Sequence, residues 1–228
     1  MKLMKQLPVF LVLAIAGLHP SARADVNDQD VQKRVQYAVA ALDELMLVPE
    51  TSIPEDLLHA ATCVANIHLT KAGFIFGAEV GRGVASCRNE AGAWSAPIFT
   101  QLVGGTWGLQ IGVAVIDLTL VFTNHSAREG LAQGNFKLSG NAGLAVGPTG
   151  RDSSAGTNYT LKDRTYSYSR SKGLFAGLTV EGAAIIPDKA YNSYVYGNLN
   201  TRGILTLSNE GIPGLVTPYA NALAKYAR

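Results

Sequence analysis

The stretch Lys71-Ala-Gly-Phe-Ile-Phe-Gly-Ala-Glu-Val-Gly-Arg-Gly-Val84 contains glycine at positions 73, 77, 81 and 83. Glycine weakens a β-strand unless the strand must bend or another backbone must come close. Similar glycine spacings recur at 104–112, 140–147 and 173–182. Repeated glycines at this density predict a strongly coiled antiparallel β-sheet or a small barrel with tightly packed layers.

The chain before this stretch has helical patterns, and no glycine occurs between His19 and Ala72. Asp30 is predicted to cap a helix whose apolar residues recur at helical spacing as far as Met46, and Ser52 or Thr51 is predicted to open a second helix. Helical spacing returns between Gly214 and Arg228. The fold class is therefore α+β, with N-terminal helices and a C-terminal helix packed on the coiled sheet.

The middle of the chain consists of short β-type runs separated by turns. The predicted strands include Cys63–Leu69, Gly73–Arg88, Ala93–Val103, Thr106–Val113, Asp117–Thr123, Asn141–Gly147 and Thr165–Ser171. A short helix capped by Asn124 or Ser126 is predicted between strands. We expect one domain over 25–228, made of a helical lead (25–62), a β core (63–197) and a C-terminal helix (212–228).

The first 24 residues have the features of a secretory signal. Lys2 and Lys5 precede a mostly apolar run, and Ser21-Ala-Arg-Ala24 ends in the small-x-small pattern of a cleavage site. The sequence thus predicts a signal peptide over Met1–Ala24 and a periplasmic or secreted protein. No later run is long and apolar enough to cross a membrane, so we expect no integral membrane span.

Charge and composition exclude several classes of protein. The whole chain has a net charge of +2 over 228 residues, and removal of Met1–Ala24 leaves 204 residues with 16 basic and 17 acidic groups, a net charge of −1. Such a balance is not the footprint of a nucleic-acid-binding protein. Hydrophobic residues make up 47% and charged residues 16% of the chain, which excludes disorder.

Motifs for catalysis are absent from the sequence. It contains no phosphate-binding Gly-x-x-x-x-Gly-Lys-Ser/Thr loop and no Gly-x-Ser-x-Gly elbow, so we expect no enzymatic activity, no cofactor and no metal site. Cys63 and Cys87 are the only cysteines and fall on adjacent predicted strands. In an exported protein they can form a disulfide, and the alternative is two buried free thiols.

Basic residues cluster late in the β core. Arg151, Lys162, Arg164, Arg170 and Lys172 lie close together in sequence, with only two acidic residues among them. Such a cluster can attract anionic headgroups, and an ordinary solvated face is the alternative interpretation.

Several runs resemble the SYLF domain in order and spacing. They are Lys71–Val84, Trp94–Phe99, Gly105–Gly112, Asp117–Phe122, Phe136–Leu138, Ala145–Arg151 and Tyr166–Gly177. Together with the terminal helices, the resemblance covers the chain after Ala24. It implies a lipid-binding protein similar to the stand-alone, exported bacterial members of the family, with anionic phospholipids or a membrane surface as the partner.

The resemblance also indicates site residues. Lys71, Arg82, Arg170 and Lys172 match basic positions of the family, and we expect them to meet a phosphate headgroup. Phe74 and Phe175 are expected to supply apolar surface beside them. An envelope scaffold that self-associates through its glycine-rich sheet, with no specific lipid ligand, remains the alternative function.

Overall fold

The computed structural model describes residues 25–49, 52–73, 76–107, 112–134, 136–138, 144–146, 165–171, 174–176, 182–208 and 211–227. The predicted signal peptide, Met1–Ala24, lies outside the described residues. The helices are α1 (Asp28–Leu47), α2 (Glu55–His59), α3 (His125–Gln133), α4 (Lys189–Tyr196), α5 (Thr201–Ile204) and α6 (Thr217–Tyr226). The strands are β1 (Cys63–Gly73), β2 (Phe76–Cys87), β3 (Ile98–Trp107), β4 (Gly112–Phe122), β5 (Phe136–Lys137), β6 (Leu144–Val146), β7 (Thr165–Ser171), β8 (Leu174–Ala176) and β9 (Ala184–Pro187).

Helix α1 begins with a capping box that corrects the predicted helix start. Asn27 is the N-cap, and its side-chain oxygen accepts a hydrogen bond from the backbone N–H of Asp30 at 3.0 Å. Asp30 lies within the first turn, and its carboxylate accepts from the backbone N–H of Asn27 at 3.3 Å. Asp30 was therefore wrong as the cap, because the reciprocal pair satisfies two helix-start donors three residues apart.

The described strands form one curled sheet in the order β5-β9-β3-β2-β1-β4-β7-β6, and β8 also pairs with β7. The predicted α+β class with a strongly coiled sheet is confirmed. One pairing departs from the antiparallel expectation, because β6 runs parallel to β7. The longest pairings, β1 with β2 and β1 with β4, each span eleven residue pairs and form the centre of the sheet.

Some predicted strands differ from the structure, and the structure has helices that were not predicted. The run Ala93–Val103 becomes a strand only from Ile98, since Trp94 and Ser95 form isolated bridges. The run Thr106–Val113 is not one strand, because β3 ends at Trp107 and β4 begins at Gly112. Helix α4 was not predicted, because its tyrosines are β-favouring residues.

The two faces of the sheet have different surroundings. Even-numbered residues of β1 face α1 and α6, and we call this side the helix face. On it, Tyr219 of α6 donates a hydrogen bond to Asn66 Oδ1 at 2.7 Å, and Tyr37 of α1 stacks on His68 with ring centroids 5.5 Å apart. Odd-numbered residues of β1, such as Ile67 and Leu69, are buried on the opposite side, which we call the core face.

The glycines of β2 permit close packing on the core face. A Cβ atom built on Gly83 would lie 2.0 Å from the backbone oxygen of Asn66, and one on Gly81 would lie 2.5 Å from the side chain of Ile67. No larger residue fits at Gly83 without moving the backbone of β1. Close approach of neighbouring strands therefore explains these glycines.

A disulfide joins Cys63 and Cys87, which are directly opposite each other in the β1–β2 pair. Both residues are fully buried. Within the described ranges, no helix combines the length and the hydropathy that crossing a membrane requires.

Candidate functional site

A row of polar side chains crosses the helix face of the sheet. The strand register aligns Arg82 on β2, His68 on β1, Asp117 on β4 and Arg170 on β7, and we call these four residues the charged row. Neighbouring strands are about 4.8 Å apart, so the backbones of Arg82 and Arg170 are separated by about 14 Å. The row is thus a line across four strands.

Helix α1 runs along one side of this row. Its Tyr37 stacks on the imidazole of His68 at an interplanar angle of 15°, and its Glu44 forms an ion pair with Arg170. His68 Nδ1 lies 2.7 Å from Asp117 Oδ1, within hydrogen-bond distance. The charge of Arg170 is therefore balanced by Glu44, and the carboxylate of Asp117 has a ring nitrogen of His68 within hydrogen-bond distance.

Arg82 is the member of the row with the most available charge. Its side chain is exposed and forms no hydrogen bond or ion pair with any residue that the structure describes. A guanidinium presents five N–H donors in a planar fork that matches phosphate oxygens. Arg82 is therefore the strongest candidate in the described ranges for contact with an anionic group.

Lys71 lies on the other side of the sheet. Its Nζ is 2.8 Å from Oε2 of Glu79, its partner directly across the β1–β2 pair. The side chain of Glu79 is fully buried and that of Lys71 is 12% exposed. Neither oxygen of Glu79 has a well-directed hydrogen bond from the described residues, so the ammonium of Lys71 is the counter-charge of a buried carboxylate.

Gly104 makes room for this ion pair. It is the partner of Glu79 on β3, and a Cβ atom at this position would lie 2.5 Å from Glu79 Oε1. A residue larger than glycine would displace the carboxylate. Gly104 belongs to the glycine-rich stretch 104–112, whereas Lys71 and Glu79 belong to the stretch 71–84. A glycine of one stretch therefore leaves room for an ion pair of the other.

The structure separates the basic residues that the sequence brought together. Arg82 and Arg170 share the helix face, whereas Lys71 belongs to the core face. Phe74 and Lys172 lie outside the described residues. The backbone of Phe175 pairs with Arg170, and its side chain is not described. The expected contacts of these residues with lipid stay a prediction.

Three residues of this region were not assigned from the sequence: Glu79, His68 and Asp117. A signal for Glu79 was present, because Lys71 and Glu79 are equally distant from Ile75 at the centre of the hairpin. In a hairpin with symmetric arms, such residues become directly opposite partners. The pairing of His68 with Asp117 depends on the β1–β4 register, which has no local signal in the sequence.

The cavities that the described residues form beside the row are small. Two cavities between α1 and the row measure about 10 Å³ each, enough for one water molecule. A cleft of about 310 Å³ lies elsewhere, beside Trp94 and α6. There, Arg88 donates hydrogen bonds to the carbonyl oxygens of Ala61, Gly92 and Ala227. Its side chain therefore links the segment before β1, the segment after β2 and the end of α6. Within the described ranges, no three His, Cys, Asp or Glu side chains are grouped to bind a metal.

Comparison with known proteins gives consistent matches. The model of the Ysc84 family, described as "Las17-binding protein actin regulator", matches residues 103–226. LAS seventeen-binding protein 3 of Saccharomyces cerevisiae is 33% identical over 178 residues, which are 77% of this chain and 39% of the yeast protein. SH3 domain-containing YSC84-like protein 1 is 34% identical in Xenopus laevis, over 71% of this chain and 49% of the relative. The human protein of the same name is 35% identical over 65% of this chain and 44% of its own length. The chain thus spans less than half the length of these relatives.

Proposed function

Because this chain belongs to the Ysc84 (SYLF) family, we propose that it is a non-enzymatic protein that binds anionic phospholipid headgroups at a membrane surface. The family resemblance implies lipid binding. The family description names a binding protein and actin regulator, and the yeast relative is named for a protein that it binds. Neither of these, nor the name of the SH3 domain-containing relatives, is the name of an enzyme.

The observation that carries the proposal is the position of Arg82. It is an exposed cation without a carboxylate partner among the described residues, and a cavity that it lines beside α1 measures only about 10 Å³. A basic residue near an anionic membrane contributes about 1 kcal/mol to binding, and the effect decreases with salt.

Charge reversal at Arg82 tests the proposal. The Arg82→Glu variant replaces an attraction of about 1 kcal/mol by a similar repulsion, so affinity for phosphatidylglycerol vesicles should fall about 30-fold. Lys137→Glu is the matched control, because Lys137 is an exposed residue of edge strand β5, three strands from β2. Vesicle flotation at low and high salt is the measurement. Equal binding of both variants and the wild type would contradict the assignment of Arg82.

A protein-binding role is the second candidate. The matching family is described as actin-regulating, and the yeast relative is named for a protein that it binds. An interaction or scaffold protein of this kind would show no dependence on anionic lipid. Flotation with vesicles of phosphatidylcholine alone, next to vesicles that contain phosphatidylglycerol, separates the two candidates.

The proposed place of action is the periplasm or the cell exterior. The support is the sequence of Met1–Ala24, with its basic start, apolar run and small-x-small end. Mass spectrometry of the protein purified from its own cells tests the proposal. A chain that begins at Asp25 agrees with export, and a chain that retains Met1–Ala24 contradicts it.

A further inference from the structure

Three exposed valines lie together on the helix face, beyond the edge of α1. Val80 is 51% exposed, Val115 is 48% exposed and Val113 is 72% exposed. The register places Val80 and Val115 on either side of Thr70, and Val113 next to Ala72. We call these two lines of residues the valine rows. They occupy the end of the sheet where β1 joins β2 and β3 joins β4, which we call the hairpin end.

The valine rows contain no charged residue among the described residues of β1, β2 and β4. Their remaining members on β1 and β2, Thr70, Ala72 and Ala78, are exposed and neutral. The connecting sequences Phe74-Ile75 and Gly108-Leu-Gln-Ile111 also contain no charged residue. On the core face, the described charges at this level are those of Lys71 and Glu79, which form an ion pair at 2.8 Å.

Charge begins one step farther from the hairpin end, at the charged row. Residues two apart on a strand are separated by about 7 Å, so the valine rows stand about 7 and 13 Å beyond the charged row. The polar zone of a bilayer, between the water and the hydrocarbon, is about 5–8 Å thick on each side. If the charged row lies at the level of the headgroups, the first valine row reaches the boundary of the hydrocarbon.

We infer that the hairpin end of the sheet inserts into the interfacial region of a lipid bilayer, with the valine rows in contact with acyl chains. This inference rests on the proposed function and adds the orientation of the protein and an apolar contribution to binding. The occupant is a bilayer because the described residues of the valine rows are uncharged and are followed, one step along the strands, by a row whose Arg82 has no carboxylate partner among the described residues. This order follows the polarity profile of a membrane interface.

The first experiment measures vesicle binding of the Val113→Asp/Val115→Asp variant. Each substitution places a carboxylate where apolar contact is expected, so binding to mixed phosphatidylcholine–phosphatidylglycerol vesicles should fall at least about tenfold. Leu199→Asp is the matched control, since Leu199 is 46% exposed and lies between α4 and α5. If the wild type binds the vesicles and the double variant binds them equally well, the insertion is overturned and the proposed function stands. Absence of wild-type binding overturns the proposed function itself.

A second experiment does not depend on charged substitutions. Both tryptophan variants are made in a Trp107→Phe background, because Trp107 itself ends β3 at the hairpin end. In that background, a Val113→Trp variant mixed with vesicles whose acyl chains carry bromine should show more quenching of tryptophan fluorescence than the background protein. A Leu199→Trp variant should not. Equal quenching of the two variants overturns the insertion even if the double aspartate variant fails to fold. A dimer in vesicle-free solution that Val113→Asp separates would also overturn it, because the valine rows would then bind a second copy.

Discussion

The ion pair of Lys71 and Glu79 allows a structural role for this lysine to be distinguished from a role in lipid binding. The two charges are 2.8 Å apart, and at an effective dielectric constant of about 20 their attraction is about 6 kcal/mol. Desolvation of both groups cancels much of this attraction. Removal of one partner nevertheless leaves the other charge buried, at a typical cost of about 3–5 kcal/mol.

We therefore expect Lys71→Met to lower the free energy of unfolding by about 3 kcal/mol or more. The exposed fraction of Glu79 is zero, so its carboxylate cannot reach water without a change in the fold. The double variant Lys71→Met/Glu79→Met should recover much of this loss, because two apolar side chains replace the pair. Urea denaturation followed by circular dichroism measures all three proteins, and the double-mutant cycle should give a coupling energy of at least about 2 kcal/mol.

The result that would refute this reasoning is a Lys71→Met variant as stable as the wild type. If that variant also lost binding to anionic vesicles, Lys71 would be a headgroup ligand, as the family resemblance implied. A large loss of stability in Lys71→Met, with vesicle binding retained by the double variant, would assign the lysine to the fold.

Three further predictions concern stability. Gly83→Ala should lower the free energy of unfolding by about 3 kcal/mol in urea denaturation. Gly105→Ala is the control and should cost less than about 1 kcal/mol, because its added Cβ would lie 3.8 Å from the backbone oxygen of Gly77. Similar losses in the two variants would refute the argument that the strands approach closely at Gly83. Burial acts to raise the pKa of Asp188, but hydrogen bonds from Arg34 and Gln101 and the charge of Arg34 lower it overall. Because the folded-state pKa is below the unfolded value of about 3.9, this contribution is present above that value and is lost as the pH falls through the folded pKa. Stability measured from pH 6 to pH 2 (roughly the range over which a depressed carboxyl titrates) should therefore decline less steeply in Asp188→Asn than in the wild type. Reduction of the disulfide should lower stability by about 3 kcal/mol, measured by unfolding with and without a reductant that leaves the folded state intact.

Local patterns in the sequence were sufficient for α1, α2, α3 and α6 and for the character of the sheet, but not for α4 and α5. The apolar spacing that follows Val31 predicted α1, and the glycines of β2 predicted strong coiling. The exact start of α1 was wrong because Asn27 and Asp30 are both good capping residues. Only the reciprocal geometry of the capping box distinguishes them.

The composition of the candidate site was harder to predict, since it depends on strand register. A shift of one residue moves a side chain to the other face of a sheet. Lys71 and Arg82 look equivalent in the sequence, as two cations of one glycine-rich stretch. Lys71 is an even number of residues from the hairpin centre and Arg82 an odd number, so their side chains lie on opposite faces of the sheet. The identity of their partners on β3 and β4 depends on contacts distant in sequence.

The disulfide bears on which residues of β1 and β2 lie opposite each other. It links two residues that are directly opposite each other, at the end of β1 and β2 farthest from their connecting turn. The hairpin is thus closed at both ends, by a short connection at one and by a covalent bond at the other. Slippage of β1 along β2 by one residue would bring Thr70 opposite Glu79 and leave the buried carboxylate without its cation. Once the disulfide has formed, that misalignment is sterically inaccessible. The bond therefore fixes the register of the β1–β2 pair.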